Sequence, residues 1–143
     1  MNYHLLTSQN GEFISTILSV YKLPSVAQYI SIDETNYWKY VTDTDNVWFY
    51  LIFENDCLVS TVYLELSDSV LYMDIVVFPE YQKRGIATKI LKDIQDGKLG
   101  NDFDKIQVSI DEKNIASIRL FKNAGFVCIA KDEELLEYVY IKN

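Results

Sequence analysis

Apolar side chains recur along this chain in two rhythms, one spaced as in a strand and one as in a helix, and their alternation predicts the order of its elements. Tyr72 to Phe78 is rich in β-branched and aromatic residues and stops at Pro79, which has no N–H for a ladder bond. A strand ends there. Beyond Gly85, Ile86, Ile90, Leu91 and Ile94 share one helical face, with Lys89, Lys92, Asp93 and Asp96 between them. Leu71 to Leu91 therefore reads strand, loop, helix.

Before it, Asn2 to Thr7 predicts a short first strand, Asn10-Gly11 a turn, and Phe13, Ile14, Ile17, Leu18 and Tyr21 one face of a first helix. Pro24 starts a further helical piece through Ile30, and Asp33 to Val41 reads as another, with Asp33 as its cap. Val47 to Phe53 and Cys57 to Leu66 predict a hairpin turning at Glu54-Asn55-Asp56, and Ser67-Asp68-Ser69 connects tightly to the central strand. After the helix, Lys105 to Ile110 alternates as a strand parallel to its predecessor through a right-handed crossover. Asn114 to Asn123 is helical in its apolar spacing, with Gly125 at a left-handed terminus. Phe126 to Ala130 and Leu136 to Ile141 then close the sheet as an antiparallel hairpin around Asp132-Glu133-Glu134. The sum is an α/β (α+β) chain with a mixed, largely antiparallel central sheet of about seven strands and helices on both faces.

Composition narrows the class. The 143 residues, 49% hydrophobic, suffice for one domain with a core and are too few for two, so a single domain over 1–143 is expected. With 13 basic and 21 acidic residues the net charge is −8, which disfavours nucleic acid or an anionic membrane as partner and suits a cationic substrate. Cys57 and Cys128 lack C-x-x-C spacing, and with the single His4 they build no Cys/His metal site. No secretory segment and no run long enough to cross a bilayer is present, so a cytoplasmic protein is expected.

Against that acidic background Lys83, Arg84, Lys89 and Lys92 fall within the loop and first turns of one helix. The first N–H groups of a helix lack intrahelical partners and carry the positive end of its dipole, so they attract anions. Gly85 and Ala87 would let a phosphate approach the backbone, and the neighbouring cations add full charges. Neither the nucleotide P-loop spacing nor the three glycines of a dinucleotide fingerprint is present. What stands there is Q-x-x-G-x-A after a strand.

That pattern, in Gln82, Gly85 and Ala87, resembles the [RQ]-x-x-G-x-[GA] acetyl-CoA loop of the GNAT superfamily of N-acetyltransferases. The preceding VVFPEY looks like the family's strand end, and Asn114 through Gly125-Phe126 is similar to its N-x-x-[AS]-x-x-[LF]-[YF]-x-x-x-G-F helix. The resemblance covers Tyr50 to Phe126 well. It implies an acyl-CoA N-acyltransferase fold, acetyl-CoA as co-substrate, no metal, an amine-bearing acceptor, and the possibility of a homodimer through sheet edges or helices. Residue by residue, it places Gln82, Lys83, Arg84, Gly85, Ile86, Ala87 and Thr88 at the pyrophosphate, Ile75, Val76 and Val77 along the pantetheine arm, and Asn114 and Phe121 on the cofactor side. The backbone N–H of Val76 or Val77 would polarise the thioester oxygen.

Catalysis is less legible. Many members carry tyrosine at the position of Phe121, placed to protonate the departing thiolate, and a phenyl ring cannot donate a proton. Phe121 is therefore read as packing. A base must take the proton of the acceptor ammonium, and Asp74, in an otherwise apolar strand, is the chosen candidate, with Glu65 and Glu137 as other carboxylates in reach. Tyr138 and Tyr140 offer hydroxyls from the last strand. The aromatic segment around Tyr37, Trp38 and Tyr40 lies where the family forms its acceptor side. Two further readings stay open from sequence: a binding module that retains an acyl-CoA without transfer, favoured by Phe121, and an interaction domain with no cofactor.

Overall fold

The computed structural model describes residues 1–9 and 11–142. It contains seven strands and five α-helices in the order β1 (Asn2–Leu5), α1 (Ile14–Tyr21), α2 (Pro24–Ala27), α3 (Tyr37–Asp43), β2 (Val47–Glu54), β3 (Cys57–Ser67), β4 (Val70–Val77), α4 (Ile86–Gln95), β5 (Lys105–Asp111), α5 (Ile115–Asn123), β6 (Val127–Asp132) and β7 (Leu135–Ile141). The strands form one mixed sheet in the order β1-β2-β3-β4-β5-β7-β6. It is open, with β1 and β6 at its edges, so the last hairpin does not close it as the sequence suggested; β7 inserts between β5 and β6.

The chain divides into two compact units, Met1–Leu64 with Ile75–Gln82, and Glu65–Asp74 with Lys83 onward. In the first, the apolar faces of α1, α2 and α3 meet β2. Ile17, Val41 and Phe49 are buried in that core, and Trp38 sets its ring edge-on against Phe49 at 5.3 Å. The Tyr21 and Thr61 hydroxyls share a buried 2.6 Å hydrogen bond. The turn between β2 and β3 needs only Asn55 and Asp56, both left-handed (φ 49° and 65°), the twist that a two-residue hairpin favours. Asp33 departs from its expected role. The helix begins at Tyr37, with Asn36 at its N-cap position, while Asp33 folds into the preceding turn and accepts from Thr35 N and Asn36 Nδ2 at 3.0 and 2.8 Å. The Asn36 bond leads in holding its carboxyl below the ordinary range. The expected Asn10-Gly11 turn lies partly outside the described residues, since Asn10 is not among them.

In the second unit β4 and β5 are parallel, while β5, β7 and β6 are antiparallel neighbours. Ile106, Val108 and Ile110 form the buried side of β5. Phe121 of α5 meets Phe126 edge-on at 5.0 Å, and Phe126 stacks on Tyr140, whose partner across the ladder is Ile106. This places α5 on that apolar side. Gln95 Nε2, at the end of α4, donates to Ala124 O at the end of α5.

Candidate active site

Helix α4 follows a glycine for a backbone reason. Gly85 is its N-cap residue at φ 78°, a conformation that costs a residue with a Cβ about 1–2 kcal/mol, and no side chain caps the helix. The first N–H groups of α4 thus have no intrahelical partner and no side-chain cap from Gly85, with Lys83 and Arg84 immediately before them. A Cβ at Gly85 would meet nothing within 4 Å, so the space above the backbone is open. Of the four expected cations, Lys89 pairs with Asp93 at 2.9 Å and Lys92 with Asp96 at 3.5 Å, each one turn along the helix. The loop cations are Lys83 and Arg84.

Helix α5 is closed at its head. Asn114 is its N-cap and accepts from Ser117 N at 3.3 Å, while Ile115 N is bonded to Lys113 O. Phe121 is 6% exposed and packed, as expected from its phenyl ring. Tyr138 is buried, and Tyr140 is stacked on Phe126.

The β4–β5 register runs from Val70↔Lys105 to Tyr72↔Gln107. Asp74 lies two residues beyond the last of these pairs. It alternates with the buried Leu71 and Met73, so it shares the face of Tyr72. Solvent reaches the Asp74 side chain, yet enough protein surrounds the carboxyl that desolvation pushes its pKa upward. The registers carry the same face across the sheet to Gln107 and Ser109 on β5 and Glu137 on β7. Gln107 Nε2 donates to Glu137 Oε1 at 3.0 Å. The tight turn at Asp68-Ser69 brings Glu65 opposite Tyr72.

In the first unit, the end of β4 has a fixed parity. Phe78 N donates to Val59 O at 2.9 Å and Ser60 Oγ donates to Val76 O at 2.7 Å, so the backbone groups of Val76 and Phe78 face β3. Those of Ile75 and Val77 face away from it. Of the two amides considered from sequence, Val77 N–H is the outward one. Gln82, counted with the pyrophosphate residues, turns its side chain back to the strand and donates from Nε2 to Val77 O at 3.1 Å. Ser60, Gln107 and the parity of Val77 escaped the sequence reading; the signal for the first was a serine within the apolar strand run from Leu58 to Val62, and the structure buries it fully.

The Acetyltransferase (GNAT) family profile matches residues 12–126. The chain belongs to that family. It is accordingly an acyltransferase, with acetyl-CoA as donor. Solved structures have the same fold over nearly all of both chains. N-acetyltransferase PseH from Campylobacter jejuni, in complex with acetyl coenzyme A, is similar at TM-score 0.78 and 11% identity, over 99% of this chain and 100% of that one. AAC(6')-Ib in complex with paromomycin and acetyl-CoA gives 0.80 and 14%, over 99% and 93%. A spermidine N-acetyltransferase SpeG chimera of Vibrio cholerae and hSSAT gives 0.77 and 18%, over 99% and 96%. No curated protein sequence matches. Among the described residues, no helix is long and apolar enough to cross a membrane, and no group of three His, Cys, Asp or Glu side chains is placed to hold a metal.

Proposed function

We propose that the protein moves an acetyl group from acetyl-CoA to a primary amine of a polycationic acceptor, by direct attack within a ternary complex. The head of α4 behind left-handed Gly85 carries this reading, because its cap residue has no side chain to bond the first amides, which are oriented to receive a diphosphate. Lys83 and Arg84 add charge there, and Gly85, Ile86, Ala87 and Thr88 supply the backbone. The outward edge of Ile75 and Val77 takes the pantetheine arm as an added strand would. Val77 N–H polarises the thioester oxygen, and Asn114, whose side chain caps α5, serves the cofactor side as structure.

Asp74 takes one proton from the acceptor ammonium, the neutral amine nitrogen bonds to the thioester carbon, its second proton passes to water, and the carbon–sulfur bond breaks as the amide forms. CoA leaves as thiolate. A thiol of pKa about 8.5 is a workable leaving group without a proton from Phe121, so water protonates it afterwards. Glu137, held by Gln107, and Glu65 face the same side as Asp74 and favour an acceptor with a second ammonium. Asp74 and Glu137 lie on one face of the sheet with β5 between their strands, which suits a di- or polyamine. Two structural relatives carry polyamines of that kind in their names, spermidine as the substrate of an N-acetyltransferase and paromomycin as a molecule bound to AAC(6')-Ib.

The test is thiol release from acetyl-CoA across a panel of mono-, di- and polyamines. Diamines are expected to outrun monoamines of equal length, and Glu137→Gln to erase the difference. Asp74→Asn is expected to lower kcat by about 10²–10⁴. In the native protein kcat falls as pH drops through the raised pKa of Asp74, and the variant loses that limb. Stability moves the other way. The folded state holds this proton more tightly than the unfolded chain, so Asp74 costs stability as pH rises from its ordinary value through its raised one. Asp74→Asn should therefore raise Tm at neutral pH and leave it unchanged below about pH 4. Equal release with every amine, or none, would overturn the proposal.

A further inference from the structure

We infer that Gln82 is a positioning residue that acts through the Val77 peptide rather than a ligand of the cofactor's phosphates, a role that rests on the transfer reading above. Val77 lies between two pinned peptide planes. The one before it, which carries the outward Val77 N–H, is held at the Val76 carbonyl by the buried Ser60 hydroxyl at 2.7 Å. The one after it is held at both ends: Phe78 N donates to Val59 O at 2.9 Å, and the Val77 carbonyl receives Gln82 Nε2 at 3.1 Å.

The intervening residues make this return possible. Pro79–Tyr81 is a single 3-10 turn, closed by Tyr81 N to Phe78 O at 2.8 Å and Gln82 N to Pro79 O at 3.4 Å, and it sets the Gln82 side chain back against the strand it has just left. One of the two N–H donors of Gln82 is thereby committed to the backbone, and with it the direction of the side chain. An amide aimed before the substrate arrives stabilises developing charge without reorganising, and a peptide plane left free to rock loses that advantage. Gln82 thus contributes to the step at the thioester carbonyl and little to the grip on the diphosphate.

The experiment compares wild type, Gln82→Met, which keeps length and loses the donor, and Gln82→Arg, whose guanidinium N–H can reach the same carbonyl. Acetyl-CoA affinity is read by calorimetry, kcat by thiol release, and the Val77 amide by its NMR shift in the free protein. Gln82→Met should lower kcat about tenfold, leave Kd within threefold, and move the Val77 resonance; Gln82→Arg should restore all three towards wild type. A tenfold rise in Kd at unchanged kcat would make Gln82 a ligand contact and overturn the inference, as would a Gln82→Met protein indistinguishable from wild type. Wild type that binds no acetyl-CoA would remove the transfer reading and this role together, whereas a turning-over wild type with an indifferent Gln82 removes this role alone.

Discussion

The heads of α4 and α5 are chemically opposite although the sequence marks both as cofactor-side motifs. At α5 the Asn114 side chain accepts from Ser117 N and the Lys113 carbonyl from Ile115 N, so the helix caps part of its own first turn. At α4 a left-handed glycine stands at the cap position and no side chain replaces it. One end is finished and the other is left for a visitor. A motif asparagine can therefore be structural where a motif glycine is functional, and the distinction lies in which group meets the amides.

The largest effect expected from breaking this contrast is at Gly85. Gly85→Glu puts a carboxylate where the diphosphate would bind and should weaken acetyl-CoA binding at least 100-fold by calorimetry, with the far-ultraviolet circular dichroism of a folded protein. Gly85→Ala, the control, keeps the open space and should lower stability by about 1–2 kcal/mol in urea from its positive φ alone. Next comes charge. Replacing Lys83 and Arg84 together by glutamine should weaken binding about tenfold at low salt, and the gap should narrow as added salt screens it. The smallest effect is at the finished end: Asn114→Ala should cost about 1 kcal/mol of stability and leave affinity within threefold. A tenfold loss of affinity there would reverse the comparison.

The sequence carried most of the fold because periodicity reports it directly. The stripe Ile86, Ile90, Leu91, Ile94 is the buried side of α4, and the alternation from Lys105 to Ile110 is that of β5. Where it misled, the missing information was three-dimensional. Asp33 has the chemistry of a helix cap, but its carboxylate is taken by Thr35 and Asn36 before the helix begins. Lys89 and Lys92 were grouped with the loop cations, although carboxylates four residues on were visible and the helical repeat brings them together. Gln82 could not be assigned by type, since an amide bonds a phosphate or a carbonyl equally well and only the turn at Pro79–Tyr81 decides. Glu65, Asp74 and Glu137 were all named as carboxylates in reach, but that Gln107 steadies Glu137 depends on a register no local pattern encodes.

The insertion of β7 between β5 and β6 also sets an order of events. Among the described residues β7 is the strand that joins β6 to the rest of the sheet, so β6 is synthesised first and waits unpaired until the residues from Leu135 onward have been made, while Val127 and Ile129 stay exposed even in the folded protein. A shortened chain lacking those residues would lose the middle of this part of the sheet, and the stranded β6 would be a ready seed for aggregation.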